Sequence, residues 1–156
     1  MSIEIKKCAV LGAGVMGAQI AGHIANAGIP SLLFDINEEL AQKGVDGLSK
    51  LKPAPLFSSS NKALVTPCTY DNDLEKLSDC DLIIEAVAEK IEIKHAVYKN
   101  LLPHLKKGVI LASNTSGIPL ANLVEVLPED IQKSFLIAHF FNPPRYLKLL
   151  ELVKGE

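Results

Sequence analysis

Residues 8–22 read CAVLGAGVMGAQIAG, an apolar run followed by a glycine-rich loop and a small-residue pattern at helical spacing. Residues 7–11 are almost continuously apolar, which is typical of a parallel strand covered on both faces. Residues 12–17 satisfy the pattern G-x-G-x-x-G. A strand before this loop and a helix after it are the context that a dinucleotide-binding loop requires. The stretch therefore predicts the first strand, turn and helix of a Rossmann-type domain.

Five of the six residues 12–17 have a role in this interpretation. Gly12 allows the sharp turn, Gly14 lets the backbone approach a pyrophosphate, and Gly17 lets helix and strand pack closely. Val15 and Met16 open the helix, whose free N–H groups bind phosphates. We therefore predict cofactor contacts from all five residues. The alternative is a tight packing turn without a ligand.

An acidic residue ends the second predicted strand, SLLFD at residues 31–35. Asp35 follows Gly12 by 23 residues, close to the spacing of the carboxylate that binds ribose hydroxyls in dinucleotide folds. Its charge would repel a 2′-phosphate, and residues 36–38 contain no arginine to neutralise one. The pattern predicts NAD rather than NADP. The alternative is that Asp35 is a solvated cap before the next helix.

Strand-like and helix-like segments alternate along the rest of the chain. Strands are predicted at residues 7–11, 31–35, 65–70, 81–86, 109–112, 134–140 and 147–153. Helices are predicted at residues 16–27, 38–51, 71–77, 91–105 and 120–127. Residues 52–66 are expected to form a long connection with a short helical turn. This order predicts a doubly wound α/β fold with a mainly parallel sheet and additional strands at its C-terminal end.

The composition excludes several other classes of protein. The 156 residues are 48% hydrophobic and 22% charged with a net charge of −2, so neither disorder nor nucleic-acid binding is expected. Three widely spaced cysteines without a CxxC pair predict reduced thiols, no metal and a cytoplasmic location. No apolar stretch is long enough to span a membrane. Four glycines interrupt the run at residues 8–22, which disfavours a signal peptide.

A candidate acid–base pair lies in the last quarter of the chain, IAHFFNPPRYLKLLELV at residues 137–153. A chain reversal at residues 142–146 would place Glu151 beside His139 on a neighbouring strand. A carboxylate bonded to one imidazole nitrogen leaves the other free to accept a proton from an alcohol. The leucines and valine around Glu151 predict that its carboxylate is buried. The alternative is a satisfied histidine beside a surface glutamate.

Four segments, in this order, resemble the NAD-binding domain of L-3-hydroxyacyl-CoA dehydrogenase. They are CAVLGAGVMGAQIA at residues 8–21, DLIIEAVAEKIEIK at 81–94, ASNTSGIPL at 112–120 and HFFNPPRYLKLLELV at 139–153. The resemblance covers almost the whole chain. It implies that His139 is the general base and Glu151 its partner.

The resemblance implies further site residues. Ser116 and Asn142 would form hydrogen bonds around the substrate oxygen and the nicotinamide, and Asn114 in the same turn as Ser116 would contact the cofactor. Glu89 and Lys94 would also contact NAD. The alternative for these last two is charge complementarity at a helix N-terminus, without a ligand.

The implied activity is oxidation of (S)-3-hydroxyacyl-CoA to 3-ketoacyl-CoA in fatty-acid β-oxidation. The segment KPAPLF at residues 52–57 is similar to long bacterial members that are fused to an enoyl-CoA hydratase region. Residues 1–156 are expected to form the NAD-binding domain, without the helical domain through which the full-length family members bind acyl-CoA and form homodimers. The connection before Thr66 is shorter than the family's CoA-binding hairpin, so no CoA contact is assigned.

Two alternatives stay open at this point. The chain could be an NAD-binding module that is weakly active or inactive in isolation. It could also belong to a β-hydroxyacid dehydrogenase that acts on free acids and takes its catalytic lysine from a following domain. In that case the HFFNP segment would have no catalytic role.

Overall fold

The structure, a computed structural model, describes residues 3–155 and contains one seven-stranded sheet. The strands lie in the order β3-β2-β1-β4-β5-β6-β7. Their bounds are β1 Cys8–Leu11, β2 Ser31–Asp35, β3 Val65–Thr69, β4 Leu82–Glu85, β5 Ile110–Ser113, β6 Phe135–Phe140 and β7 Leu150–Lys154. All neighbouring pairs are parallel except β6 and β7, which are antiparallel. The predicted Rossmann-type sheet with an additional C-terminal strand is confirmed.

Helices cover both faces of the sheet. The α-helices are α1 Val15–Asn26, α2 Glu38–Gly47, α3 Ile91–Leu101, α4 Leu120–Val124 and α5 Glu129–Gln132, and the 3₁₀ helices are Ser59–Leu64, Leu74–Asp79 and Leu102–His104. Successive strand residues such as Val10 and Leu11 enter two different apolar clusters, one under each face. Because side chains alternate along a strand, both faces are buried. No helix within residues 3–155 is long and apolar enough to cross a membrane.

Several helices are shorter than predicted, and prolines explain two of these differences. The helix predicted at 91–105 ends as an α-helix at Leu101 and continues as a 3₁₀ turn that contains Pro103. The helix predicted at 120–127 ends at Val124, and a separate helix begins after Pro128. Proline has no N–H to donate and disfavours α-helical geometry in the residue before it. Both breaks therefore follow from the local sequence.

The long connection at residues 52–64 is tied to the domain at two places. The Asn26 side chain, at the end of α1, forms hydrogen bonds with the backbone of this segment through both its oxygen and its nitrogen. The Arg145 guanidinium donates to the carbonyl oxygens of Ala54 and Leu56 at 2.7 and 2.6 Å. The connection therefore joins helix α1 to the turn that follows β6.

Candidate active site

A cavity of about 400 Å³ opens at the carboxyl end of the sheet. Strand β1 feeds β2 on one side and has β4 on the other, so the chain changes direction across the sheet at this point. Crevices at such switch points are the usual ligand sites of open α/β sheets. Seven of the predicted site residues line the cavity: Met16, Glu89, Lys94, Asn114, Ser116, His139 and Asn142.

The glycine loop lies at the end of β1 with little room for side chains. Gly12 has φ +101°, and a Cβ there would lie 2.6 Å from the Ala86 carbonyl oxygen. A Cβ on Gly17 would lie 1.7 Å from the Gly12 carbonyl oxygen. Gly14 differs, because a Cβ there would meet no atom within 4 Å. Gly12 and Gly17 serve the turn and its packing, and Gly14 leaves an open approach to the backbone.

The start of helix α1 is free to bind an anion. Gly14 precedes the helix and offers no side chain to cap its first N–H groups. Val15, the first helical residue, is exposed, and Met16 lines the cavity. Unpaired N–H groups at a helix start attract phosphate oxygens. The loop thus fits a pyrophosphate.

Asp35 lies at the end of β2 and contacts the glycine loop directly. One carboxylate oxygen accepts the Ala13 N–H at 2.8 Å, and the other accepts the Ile36 N–H at 2.7 Å. Asp35 also lines a second cavity of about 730 Å³, between α1 and α2, together with Gly14. The cap of helix α2 is Asn37, whose side chain accepts the Leu40 N–H. Helix α2 is therefore capped by Asn37 and not by Asp35.

A buried carboxylate that the sequence analysis did not single out lies beside the first cavity. Glu85, the last residue of β4, is 0% exposed. It accepts hydrogen bonds from Lys94 Nζ at 2.7 Å, Ser113 Oγ at 2.6 Å, Tyr98 Oη at 2.9 Å and the Val87 N–H at 2.8 Å. Burial, followed by the nearby Glu85 charge, raises the pKa of Tyr98. An acidic residue at the end of the apolar run DLIIE was the available signal for this site.

Lys94 and Glu89, both predicted to contact the cofactor, are held differently. The Lys94 side chain is 1% exposed, and its ammonium pairs with Glu85. Glu89 Oε2 lies 3.9 Å from Lys94 Nζ, and the other carboxylate oxygen accepts a hydrogen bond from Thr115 Oγ1. Glu89 is about half exposed at the cavity. The buried pair therefore supports the cavity wall, and Glu89 presents a carboxylate to the opening.

The structure brings His139 and Glu151 together across the two antiparallel strands. The residues are in register on β6 and β7, and His139 Nδ1 lies 2.9 Å from Glu151 Oε2. The His139 ring also packs against the Phe141 ring, with 4.7 Å between their centroids. Because Nδ1 faces the carboxylate, Nε2 is the nitrogen left for a ligand. A protonatable nitrogen thus borders the cavity.

The predicted burial of Glu151 is wrong. Its side chain is 54% exposed, whereas that of His139 is 21% exposed. Among residues 3–155, strand β7 lies at the edge of the sheet, pairs only with β6, and has all five of its residues exposed. The apolar neighbours of Glu151 on β7 are consequently exposed, and they do not bury its carboxylate.

Two amides connect the strand ends at the cavity. Asn114, directly after β5, accepts the Phe140 N–H through Oδ1 at 2.9 Å. Gln19 on helix α1 donates from Nε2 to Asn142 Oδ1 at 3.3 Å. The sequence analysis did not identify Gln19, since no local pattern relates residues 123 positions apart. Ser116 and Asn142 line the same cavity, and Gln19 contacts Asn142 from helix α1.

The geometry can be compared with known proteins. The family described as 3-hydroxyacyl-CoA dehydrogenase, NAD binding domain, matches residues 7–156. The chain belongs to this family. The predicted family is therefore confirmed, and NAD is the cofactor of this domain. The open cradle at Gly14 and the free start of helix α1 fit this dinucleotide.

Relatives of this family domain include longer proteins. A Deinococcus radiodurans protein named "Probable 3-hydroxyacyl-CoA dehydrogenase" is 45% identical, and the match covers 97% of this chain and 46% of that protein. A fatty acid oxidation complex subunit alpha of Psychrobacter sp. is 36% identical, with 98% and 22% covered. The crystal structure of (S)-3-hydroxybutyryl-CoA dehydrogenase from Ralstonia eutropha superposes with a TM-score of 0.83 at 31% identity, over 97% and 55% of the two chains. This chain thus spans about half or less of the proteins it matches.

Proposed function

We propose that this chain is the NAD-binding domain of an enzyme that oxidises (S)-3-hydroxyacyl-CoA to 3-ketoacyl-CoA in fatty-acid β-oxidation. The observation that carries the proposal is the His139–Glu151 pair beside the cavity at the dinucleotide loop. A positioned general base can remove a hydroxyl proton, and the carboxylate holds the imidazole in the tautomer that accepts one. The match to the family supports the substrate class.

The residues that would hold NAD lie along the carboxyl end of the sheet. The glycine loop with Val15 and Met16 would bind the pyrophosphate, and Asp35 the adenosine ribose. Glu89, Lys94, Asn114 and Ser116 would contact the nicotinamide half. When bound, NAD supplies the acceptor for the hydride that leaves the substrate carbon.

The chain's own side chains divide the proton chemistry between them. His139 would take the hydroxyl proton at Nε2 while Glu151 holds Nδ1–H and balances the charge of the imidazolium. Ser116 and Asn142 would form hydrogen bonds to the substrate oxygen and the nicotinamide. Such general-base assistance is typically worth about 10²- to 10⁴-fold in rate.

Three further proposals concern the protein that contains this domain. We propose that residues 1–156 form the NAD-binding domain, that the enzyme is cytoplasmic, and that it forms homodimers through a helical domain outside these residues. The three cysteines are buried and free, which is consistent with a reducing location, and burial raises the pKa of Cys8 to about 12 and those of Cys68 and Cys80 to about 11. Thiols with such pKa values oxidise reluctantly.

The test is His139→Gln in the enzyme as its gene encodes it. We expect kcat on 3-hydroxybutyryl-CoA to fall by about 10²-fold or more, because glutamine cannot accept the proton. The dissociation constant for NAD should stay within about 2-fold, since His139 is assigned to the substrate. Steady-state kinetics measures kcat, and calorimetry measures the dissociation constant for NAD.

Two controls make this test specific. His104→Gln changes a histidine in the 3₁₀ helix before β5 that does not line the cavity, and it should leave kcat unchanged. Free 3-hydroxybutyrate, compared with its CoA thioester, separates this enzyme from a β-hydroxyacid dehydrogenase. Full turnover by His139→Gln, or a preference for the free acid, would refute the proposal.

A further inference from the structure

Helix α1 carries a buried amide side chain two residues after Gly17, the last glycine of the loop. Gln19 is 6% exposed, and its neighbours Ala18 and Ile20 belong to the apolar core. A polar group that is removed from water requires hydrogen-bond partners in the protein. The position of those partners decides which way the Gln19 amide faces.

Both partners of Gln19 are oxygen atoms. Nε2 donates to the Val15 carbonyl oxygen at 3.1 Å and to Asn142 Oδ1 at 3.3 Å. A backbone carbonyl only accepts, so the Gln19 atom that faces Val15 must be the nitrogen. Rotating the amide would place oxygen against oxygen. The orientation of Gln19 therefore follows from the backbone.

The same reasoning extends to Asn142. Its atom nearest to Gln19 Nε2 must accept a hydrogen bond, which makes it Oδ1 and turns Nδ2 away from helix α1. Asn142 lines the cavity together with His139 and Ser116. Within residues 3–155, no protein atom accepts a hydrogen bond from Asn142 Nδ2. The free donor is thus available to a ligand.

We propose that Gln19 is a positioning residue that fixes the Asn142 amide, so that Nδ2 donates to an acceptor oxygen of the ligand. This inference rests on the proposed function and deepens it. The acceptor is a carbonyl-type oxygen, of the cofactor's carboxamide or of the substrate. Gln19 also connects the helix of the dinucleotide loop to the turn after β6.

A double-mutant cycle tests the inference in the enzyme as its gene encodes it. Gln19→Met preserves length and removes the donor, and it should weaken NAD binding or lower kcat/KM by about 5-fold, as for loss of one hydrogen bond. Asn142→Ala should cost about 10-fold or more. The double variant should be no worse than Asn142→Ala, because Gln19 acts through Asn142. Additive losses would show a merely structural role and overturn the inference.

A second variant does not depend on packing around Gln19. Asn142→Asp keeps an acceptor for Gln19, replaces the Nδ2 donor with a carboxylate oxygen and adds a negative charge, at an exposed position. It should stay as stable as wild type and lose as much affinity or kcat/KM as Asn142→Ala. Asn142→Asp with wild-type NAD affinity and wild-type kcat/KM would also overturn the inference.

The readouts assign the acceptor and keep this inference separate from the proposed function. A loss in NAD affinity, measured by calorimetry without substrate, identifies the cofactor's oxygen. A loss confined to kcat/KM for the substrate identifies the substrate's oxygen. Gln132→Met, which removes a similar donor that faces the Leu127 carbonyl, is the matched control and should change neither. An additive cycle beside an inactive His139→Gln would refute only the role of Gln19.

Discussion

Strand β4 has an acidic residue at each end, and the two behave differently. Asp81 precedes the strand and accepts hydrogen bonds from the backbone N–H groups of Lys6 and Lys7 and from the Lys106 ammonium. It remains partly exposed. Glu85 ends the strand, has no exposure, and receives four hydrogen bonds beside the cavity.

This contrast separates structural from ligand-related charge in the domain. At the amino end of the sheet, Asp81 joins the chain start to the segment before β5, in contact with water. At the carboxyl end, Glu85 holds Lys94 in the wall of the cavity that would receive the nicotinamide. Charges of the same sign at the two ends of one strand therefore differ in surroundings: Asp81 is partly exposed, and Glu85 is buried beside the cavity that we propose for NAD.

Of the three substitutions proposed for the two ends of the sheet, Glu85→Gln should cause the largest loss of stability. The neutral amide removes the buried counter-charge of the Lys94 ammonium and leaves only the half-exposed Glu89 nearby, and removing one partner of a buried pair typically costs about 3–5 kcal/mol. Denaturant unfolding measures the loss of stability, and calorimetry should show weaker NAD binding. A loss below about 1 kcal/mol would mean that the Glu85–Lys94 pair contributes little.

Gly14→Ala should affect binding at the carboxyl end without affecting folding. The added methyl group meets no protein atom within 4 Å, so the unfolding free energy should stay within about 0.5 kcal/mol of wild type. NAD affinity should fall by about 10-fold or more, because the methyl group occupies the approach to the pyrophosphate. Gly155→Ala, whose added Cβ would make only an ordinary contact with Leu120 at 3.7 Å, is the control. Unchanged NAD affinity in Gly14→Ala would place the pyrophosphate elsewhere.

Asp81→Asn should have the smallest effect, and one that depends on pH. The Lys106 ammonium and the backbone N–H groups lower the pKa of Asp81 from 3.8 to about 2. A carboxylate with a lowered pKa stabilises the fold above its unfolded pKa, and this contribution is lost as the pH falls through the folded pKa. The variant should be less stable than wild type at pH 6, and the gap should close between about pH 4 and pH 2. Unfolding curves across this range, with unchanged NAD affinity at pH 7, provide the check.

Local patterns were sufficient for the first half of the site. Residues 12–17 and Asp35 were predicted from glycine spacing and strand ends, since a glycine's freedom and a strand's apolar face depend on neighbouring residues. The juxtaposition of His139 with Glu151 also follows from a chain reversal between two strand-like segments. The roles of these residues in binding and catalysis remain predictions.

Contacts between distant segments required the folded chain. Neither the Gln19–Asn142 bond nor the convergence of Lys94, Tyr98 and Ser113 on Glu85 follows from spacing, because each depends on which strands lie side by side. The exposure of Glu151 likewise depends on β7 being an edge strand, although its apolar neighbours predicted a core. Short-range steric effects and hydrophobic periodicity depend on neighbouring residues and can be predicted from the sequence. Burial and long-range pairing arise only when the order of strands in the sheet brings remote residues into contact.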